Sequence, residues 1–551
     1  MAKIKIFALG GLDENGKSMY VVEVDQAIYV LDAGLKYPEE SMLGIDKVIP
    51  DITYLKENED RIKGIFLTHA HEDHIGALPV VMQELAVPVY GTKLTLDIVE
   101  DMLKIEGVKP KGELKVVAPY TAIDFKRGQS VFFFKTTHSI PDSIGICINT
   151  KDGSIVFTGD FYFDQNATEL YSTDIGNLGY IGKKGVLALL SVSRGVEQKG
   201  YAANNQGFKH ALGDYFYDAK SRVIVSAFAT DIKRIQDIID VAVEYDKKVF
   251  ITGVRGQRLI DISLKNGYLK VPEGTMIPLK EVERHRDDLV VIVAGNTGIP
   301  FNSLIRMSTG ADKLIQIDDR DTVVIASPAI TGTEVVAAKA IDEVFKTGAR
   351  TYIVDKKLLN SSVAAQEDLK MLLNLMKPKY LFPVDGEYRQ LIEHEQLALG
   401  LGYDASQIFI RDNGEVVHLN NGVYDESAET VPVDDVLIDG NISGDVGNVV
   451  LRDRQQLSQD GVVITVITLN SKKKRMVGEP QIVTRGFVYV RQSQELLDQM
   501  RDIVTTTVND KIAENGLEWN AIRQDVREHL GKFLFKQTKR RPVVLTIMMD
   551  V

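Results

Sequence analysis

Hydrophobic and polar positions alternate from the start of the chain. Met1-Ala2-Lys3-Ile4-Lys5-Ile6 alternates as a strand does. Tyr20–Val24 and Ala27–Leu31 are apolar runs separated by Asp25-Gln26, a spacing that predicts a hairpin. Asp32-Ala33-Gly34 follows as a turn. Gly64–Thr68 predicts a short strand, and Ile75–Leu85 opens a helical pattern. A second strand pair, Gln129–Phe134 and Ile144–Asn149, leads to the strands Ser154–Thr158 and Val186–Leu190. These elements make up a first region, residues 1–206.

The rhythm then changes. Over residues 207–350 the strands Arg222–Ala227, Lys248–Thr252, Leu289–Ala294 and Thr322–Ala326 are each followed by a helical pattern or a Gly-containing turn, the clearest helix being Asp231–Tyr245. Such strand–helix units predict a largely parallel sheet covered by helices, here inserted as a second domain. Residues 351–419 return to the first domain, with the helix Gln366–Met376 and the strand Tyr380–Val384. Residues 420–447, rich in Asp, Glu, Gly and Ser, read as a linker; a long surface loop inside one domain is the alternative. Residues 448–551 form a small α/β domain of the strands Gly461–Leu469, Gln481–Val490 and Val543–Met549 and the helices Glu495–Asn509 and Trp519–Phe535.

A chain of 551 residues is too long for one core and predicts roughly two to four domains. Apolar residues at 44% and charged residues at 26% are ordinary for a soluble protein. No apolar run approaches the roughly 20 residues of a membrane span, and the N-terminus lacks the apolar core of a signal peptide. The single cysteine, Cys147, excludes an intrachain disulfide and fits a reducing cytoplasm. It also excludes a Cys-based zinc site, so any metal must be held by His, Asp and Glu. The net charge of −12 argues against a general nucleic-acid coat protein but leaves room for a local basic groove. The densest basic runs, Lys472-Lys473-Lys474-Arg475 and Lys536-Gln537-Thr538-Lys539-Arg540-Arg541, read as solvated turns.

The candidate chemistry lies between the strand at 64–68 and the helical pattern that follows. In His69-Ala70-His71-Glu72-Asp73-His74, two imidazoles two residues apart can bind one cation from the same side, and Asp73 and His74 face a neighbouring position. Zn²⁺ accepts imidazole nitrogen and carboxylate oxygen. Two such ions can clamp a phosphodiester in line. His138 ends the strand Phe132–Thr137, and Asp160 follows Ser154–Thr158, so both fall on a sheet rim, where ligand sites form. Asp160 could bridge two metals.

The order Asp32, His69-x-His71-x-Asp73-His74, His138, Asp160 resembles the metallo-β-lactamase superfamily. The likeness extends further. Phe7-Ala8-Leu9-Gly10-Gly11-Leu12, Thr68–Leu78, His138-Ser139-Ile140-Pro141-Asp142-Ser143, Gly159-Asp160-Phe161, Met376-Lys377-Pro378-Lys379-Tyr380 and Thr484-Arg485-Gly486-Phe487-Val488-Tyr489-Val490 look like ribonuclease J. The resemblance covers nearly the whole chain. It implies a metallo-β-lactamase αββα sandwich, an inserted β-CASP α/β domain and a C-terminal oligomerisation domain. It also implies RNA as substrate, cleaved by 5′-to-3′ exonuclease and endonuclease action.

The departures from the family pattern are equally informative. Active members carry Ser-Asp-Ser-Thr-Asn after the strand at 186–190; here it reads Ser191-Val192-Ser193-Arg194-Gly195, and Val192 replaces the acid. They carry His-x-Ser-Gly-His before the helix at 366–376; here it reads Leu359-Asn360-Ser361-Ser362-Val363, a degenerate RNA-binding loop without either imidazole. Their Gly-Ser-Gln-Gly-Glu-Pro loop reads Gly295-Asn296-Thr297-Gly298-Ile299-Pro300. Their late metal-binding His in Pro-Val-His-Gly-Glu-Tyr is Asp385, which can still bind a cation. This pattern is similar to the second ribonuclease J paralogue of Gram-positive bacteria.

The resulting expectation is a zinc-dependent ribonuclease of weakened activity, with Mn²⁺ or Mg²⁺ as alternatives, in which Asp73 and Asp160 are catalytic. His69, His71, His138 and Asp160 would hold one metal; Asp73, His74, Asp160 and Asp385 the other. RNA is the expected substrate, in RNA maturation and decay. A homodimer and a hetero-oligomer with an active paralogue are the expected assemblies, with no membrane partner. A rival reading is a catalytically impaired partner subunit of that paralogue. A third, a small-molecule hydrolase on the same scaffold, is disfavoured by the inserted domain and the C-terminal region.

Overall fold

The alternating N-terminal strand closes into a sheet because its apolar side meets a second apolar sheet. The computed structural model describes residues 2–551 except 40, 165–166, 169, 203–204, 331, 360–362, 441, 444–446, 489–493 and 516. It divides into two units, Met1–Tyr37 with Lys47–Val436, and Pro38–Asp46 with Leu437–Val551.

In the larger unit, Lys3–Gly10 pairs antiparallel with Met19–Val24, which pairs with Ala27–Leu31 across the Asp25-Gln26 turn. These strands are the centre of an eight-stranded sheet. The sheet continues in parallel through Ile62–Phe66, Val89–Gly91 and Leu114–Val116. A six-stranded sheet runs Tyr380–Val384, Val186–Val192, Gly153–Phe157, Ile144–Thr150, Ser130–Lys135, Ala122–Asp124. The sheets meet over one buried cluster that includes Ile6, Tyr20, Tyr29 and Phe66 from the first and Phe133, Ile146, Phe157 and Leu190 from the second. Tyr20 and Phe157 rings lie 5.2 Å apart across the interface. The far face of the second sheet carries Phe134, Cys147, Val156, Leu189, Val192 and Leu381. It is covered by the helices Ile175–Lys184 and Gln366–Met376. On the first sheet, Lys93–Glu106 packs on Val89–Gly91 and Leu114–Val116. The result is helix, sheet, sheet, helix.

Parallel pairing positions the site. Ala27–Leu31 runs parallel with Ile62–Phe66, and Gly153–Phe157, Val186–Val192 and Tyr380–Val384 are mutually parallel. Within each set the carboxyl ends fall on one edge, where ligand sites of such sheets form. Asp32, His69, Asp160, Arg194 and Asp385 all follow these ends.

The same unit contains a five-stranded parallel sheet in the order Lys248–Thr252, Leu289–Gly295, Val223–Phe228, Thr322–Ile325, Arg350–Ile353. This is the inserted sheet the strand–helix rhythm predicts. A buried Arg222–Asp321 pair at 2.6 Å ties the strand starts together. In the smaller unit, Val462–Asn470 alternates buried and half-buried residues without a break. It pairs antiparallel with Gln481–Arg485 and parallel with Val543–Asp550. The helices Gln494–Asn515 and Trp519–Thr538 bury Met500, Val504, Ile522 and Val526 against one face of this sheet.

Three local differences from the sequence pattern have physical causes. The pattern over Ile75–Leu85 is two helices, Glu72–Ile75 and Leu78–Glu84. The ladder breaks between them because Ala77 N donates to Ala33 O and Pro79 has no N–H to offer. The strand predicted at 64–68 runs Ile62–Phe66 and frees Thr68 and His69 to turn into the site. Past residue 420 the chain still pairs: Val417–Asn420 and Val423–Asp425 form a hairpin beside Lys3–Gly10. Edge strands carry polar residues toward water, so composition there reads as loop.

Candidate metal centre

The turn after Phe66 aims its imidazoles inward through a chain of hydrogen bonds. Thr68 N donates to Asp32 Oδ1 at 2.7 Å and Thr68 Oγ1 donates to Asp32 Oδ2 at 2.8 Å. The Thr68 hydroxyl is therefore free to accept from His69 Nδ1, 3.0 Å away. That leaves His69 Nε2 with its lone pair toward the pocket, the tautomer being inferred from the network. His74 Nδ1 lies 2.7 Å from Asp32 Oδ2, which sets that ring in the same way. The loop is fastened from below, since Ala33 N donates to His74 O, Leu35 N to Glu72 O and Ser18 N to Asp73 O. Gly34 is required there: a Cβ would fall 1.6 Å from Asp73 O.

His69 Nε2 and His138 Nε2 lie 3.2 and 3.0 Å from His71 Nδ1. Asp160 Oδ2 completes the group at 3.9 Å from His69 Nε2 and 3.8 Å from His138 Nε2. Ligands 2.0–2.1 Å from a tetrahedral zinc stand about 3.4 Å apart, so these spacings fit one cation. Burial, followed by the neighbouring rings, holds His69 well below the usual histidine range. Burial also lowers His71, and it takes His138 down to about 3 with the help of His71. With their protons on the outer nitrogens, three neutral rings at this spacing present three lone pairs to one cation. The donor set and spacing thus suit a divalent ion.

The second set is also assembled. His74 Nε2 stands 3.8 Å from Asp73 Oδ2, 3.8 Å from Asp160 Oδ1 and 3.9 Å from Asp385 Oδ2. His74 Nε2, Asp160 Oδ1 and both Asp385 oxygens have no hydrogen-bond partner among the described residues. Burial works against charge on His74, but Asp73, Asp32 and Asp160 outweigh it and raise the ring to about 10. Burial raises Asp385 against the pull of Arg194.

One residue in this second set was not singled out by its chemistry in the sequence. Arg194 Nη1 donates to Asp73 Oδ2 at 2.8 Å, and Nη2 donates to Asp160 Oδ2 at 2.5 Å. Nη2 also lies 3.0 Å from Asp385 Oδ2, an ion pair whose angles are not those of a hydrogen bond. Burial favours the charged form of neither carboxylate, yet Arg194 pulls both Asp73 and Asp160 below the usual range.

All seven residues expected at the metal positions, His69, His71, Asp73, His74, His138, Asp160 and Asp385, are thus brought together. Of the expected RNA-binding loop, Asn360, Ser361 and Ser362 lie outside the described residues. Leu359 is buried, and Val363 packs against the cluster of Val192 and Leu369.

A sandwich of two sheets with a histidine–aspartate cluster on its rim defines a metallo-β-lactamase-type metallohydrolase. The metallo-β-lactamase superfamily model matches residues 12–184, the ribonuclease J β-CASP domain residues 220–344, the Zn-dependent metallo-hydrolase RNA specificity domain residues 357–406 and the ribonuclease J C-terminal domain residues 449–551. Ribonuclease J2 of Bacillus subtilis (strain 168) is 42% identical over 549 residues, covering 100% of this chain and 99% of the relative. Ribonuclease J 2 of Streptococcus pyogenes serotype M3 is 42% identical over 555 residues, covering all of both chains. Ribonuclease J 2 of Staphylococcus aureus (strain NCTC 8325) is 40% identical over 549 residues, with 100% and 98% covered. The chain belongs to the ribonuclease J family. A solved structure of a protein of unknown function from Enterococcus faecalis V583 shares the fold at a TM-score of 0.56 and 15% identity, covering 76% of this chain and all of that one. Among the described residues no helix is long and apolar enough to cross a membrane.

Proposed function

We propose that this chain is a metal-dependent ribonuclease that hydrolyses RNA phosphodiesters in RNA maturation and decay, at a rate below that of an active family member. The observation that carries the metal reading is the approach of His69 Nε2 and His138 Nε2 to 3.2 and 3.0 Å of His71 Nδ1, with Asp160 beside them. A Zn²⁺ ion there, or Mn²⁺ or Mg²⁺ in its place, supplies positive charge to the phosphodiester and acidifies a water. The chain's own part is to orient the rings through Thr68 and Asp32 and to keep them neutral by burial. Asp73 and Asp160 are the candidate proton acceptors at the pocket, and RNA is the substrate that membership of the family favours. The weakened rate follows from Leu359 and Val363, apolar residues that can neither protonate a leaving oxygen nor hydrogen-bond a phosphate. A positioned acid–base group contributes roughly 10²–10⁴-fold.

The same apolar pair favours a second reading, a partner subunit that pairs with an intact paralogue. A panel of substrates separates these readings from each other and from a small-molecule hydrolase. Metal-loaded chain is given RNA, a thioester and a lactam, with His71→Ala as the control. Slow, His71-dependent loss of RNA alone supports the ribonuclease. No RNA cleavage by the chain alone, with stimulation of an added intact paralogue, supports the partner. Turnover of the thioester or lactam but not of RNA overturns both.

A further inference from the structure

The two halves of the pocket differ in what already neutralises them. At the three-histidine position no cationic side chain touches a ring nitrogen in the described hydrogen bonds and ion pairs. At the neighbouring position one guanidinium bridges Asp73 Oδ2 at 2.8 Å and Asp385 Oδ2 at 3.0 Å, and it also donates at 2.5 Å to Asp160 Oδ2, the oxygen that Asp160 turns to the three histidines. Two of the four residues expected to ligate a second ion, Asp73 and Asp385, are thus engaged through the oxygens that face it, while Asp160 Oδ1 has no hydrogen-bond partner among the described residues.

This arrangement is built into the fold. Arg194 follows the strand Val186–Val192 by two residues. Its backbone is fixed on both sides, since Ser193 N donates to Asp385 O at 3.2 Å and Gln390 Nε2 donates to Arg194 O at 3.1 Å. The side chain is 22% exposed, so most of it lies inside the pocket. A planar fork with fixed donors suits several carboxylates at once, and the group stays protonated at any working pH. A divalent ion entering this position would have to break the Asp73 hydrogen bond and the Asp385 ion pair and then sit beside a fixed positive charge.

We propose that Arg194 is a built-in cation standing in for the second metal ion, so that the chain binds a single divalent ion, at His69, His71, His138 and Asp160. The proposal rests on the metal reading above and deepens it. The pocket then has no pair of ions to clamp both the attacking and leaving oxygens of an in-line displacement. It has one ion and a fixed guanidinium instead. Arg194 is a positioning residue for Asp73, Asp160 and Asp385.

Metal stoichiometry tests this without reference to turnover. Full-length chain is stripped with chelator, titrated with Zn²⁺ by calorimetry, desalted and analysed for zinc per chain. The expected value is about one zinc per chain. Arg194→Thr, which removes the cation, should raise the count to about two. Arg194→Lys, which keeps a positive charge, should leave it at about one. Asp385→Asn in the otherwise unchanged chain should also leave it at about one, because Asp385 pairs with Arg194 and not with an ion. The last two variants keep the test decisive should Arg194→Thr fail to fold. Two zinc ions in the unchanged chain, or loss of zinc on Asp385→Asn, overturns the inference while upholding the metal reading. No zinc in either the unchanged chain or Arg194→Thr overturns both.

Discussion

Asp32 holds a φ of 60° at the end of the strand Ala27–Leu31, and Asp385 one of 50° at the end of Tyr380–Val384. Non-glycine residues pay for that conformation, and such strain gathers at functional sites. Both backbones are pinned, Asp32 N donating to Phe66 O and Asp385 N to Gly11 O at 2.9 Å. Asp32 touches no expected metal atom directly; it orients His74 and, through Thr68, His69. Asp32→Ala should therefore weaken zinc affinity by about 10–100-fold with the ligands themselves intact. Competition with a chromogenic chelator reads this, and an unchanged affinity would mean that the rings need no such support. A second residue-scale outcome concerns His394, fully buried with Nδ1 3.0 Å from Ser193 Oγ. Burial lowers it to about 4, below its unfolded value of about 6.5. The unfolded chain therefore takes up the proton first. This contribution to stability is intact above pH 6.5 and falls away as pH drops toward 4. Between pH 7 and pH 5 the loss is about 2 kcal/mol. Urea melts of the parent and His394→Gln at both pH values should differ by that extra slope; identical slopes would contradict it. Residue identity made the histidines and Asp160 legible in the sequence, since few other roles suit that order at strand ends. Arg194 was not legible. In Ser191-Val192-Ser193-Arg194-Gly195 the missing acid draws attention, and the gained cation has meaning only once Asp385, 191 positions later, returns beside it.

At the scale of elements, the strand Val186–Val192 determines what can be restored. All its residues are buried, and Val192 belongs to the apolar cluster of Phe134, Leu369 and Leu381. A carboxylate placed there meets hydrocarbon. Val192→Asp should cost about 3 kcal/mol or more of stability, read as a lower urea midpoint. A midpoint equal to the parent's would show that the position opens toward the pocket. Returning imidazoles at both Leu359 and Val363, with Val192 kept, should raise RNA cleavage by at least about tenfold. A double variant no faster than the parent would place the defect elsewhere, with Arg194 the first candidate. The pattern of apolar positions identified most of the long strands, as continuous apolar runs where both faces are buried, as in Val186–Val192, and as alternation where one is, as in Val462–Asn470. It ran through residues 76–79 without a break, because the Ala77 N–H that leaves the helix for Ala33 O is a tertiary contact invisible to periodicity.

At the scale of the whole molecule, the smaller unit presents a sheet face of half-exposed apolar residues. Leu545, Ile547 and Met549 alternate on Val543–Asp550, each about half exposed, and Val483 lies on the strand beyond. An apolar sheet face of this kind marks an interaction surface. It suits a second copy of the chain, or a homologous subunit. The double variant Leu545→Lys with Ile547→Lys should reduce a dimer to monomer in light scattering while leaving zinc binding unchanged. A dimer that survives the pair would put the interface elsewhere. The sheet types were legible, because they follow from whether strands alternate with helices. The expected assembly rests only on family resemblance, since no pattern within one chain records a partner. The three-histidine cluster is the proposed metal site of a ribonuclease. The most direct measurement is a time course on 5′-monophosphorylated RNA, using chelator-stripped chain, the same chain reloaded with zinc or manganese, and reloaded His71→Ala. The expected result is slow cleavage by the reloaded parent alone; equal cleavage by all three, or none by the reloaded parent, would contradict it.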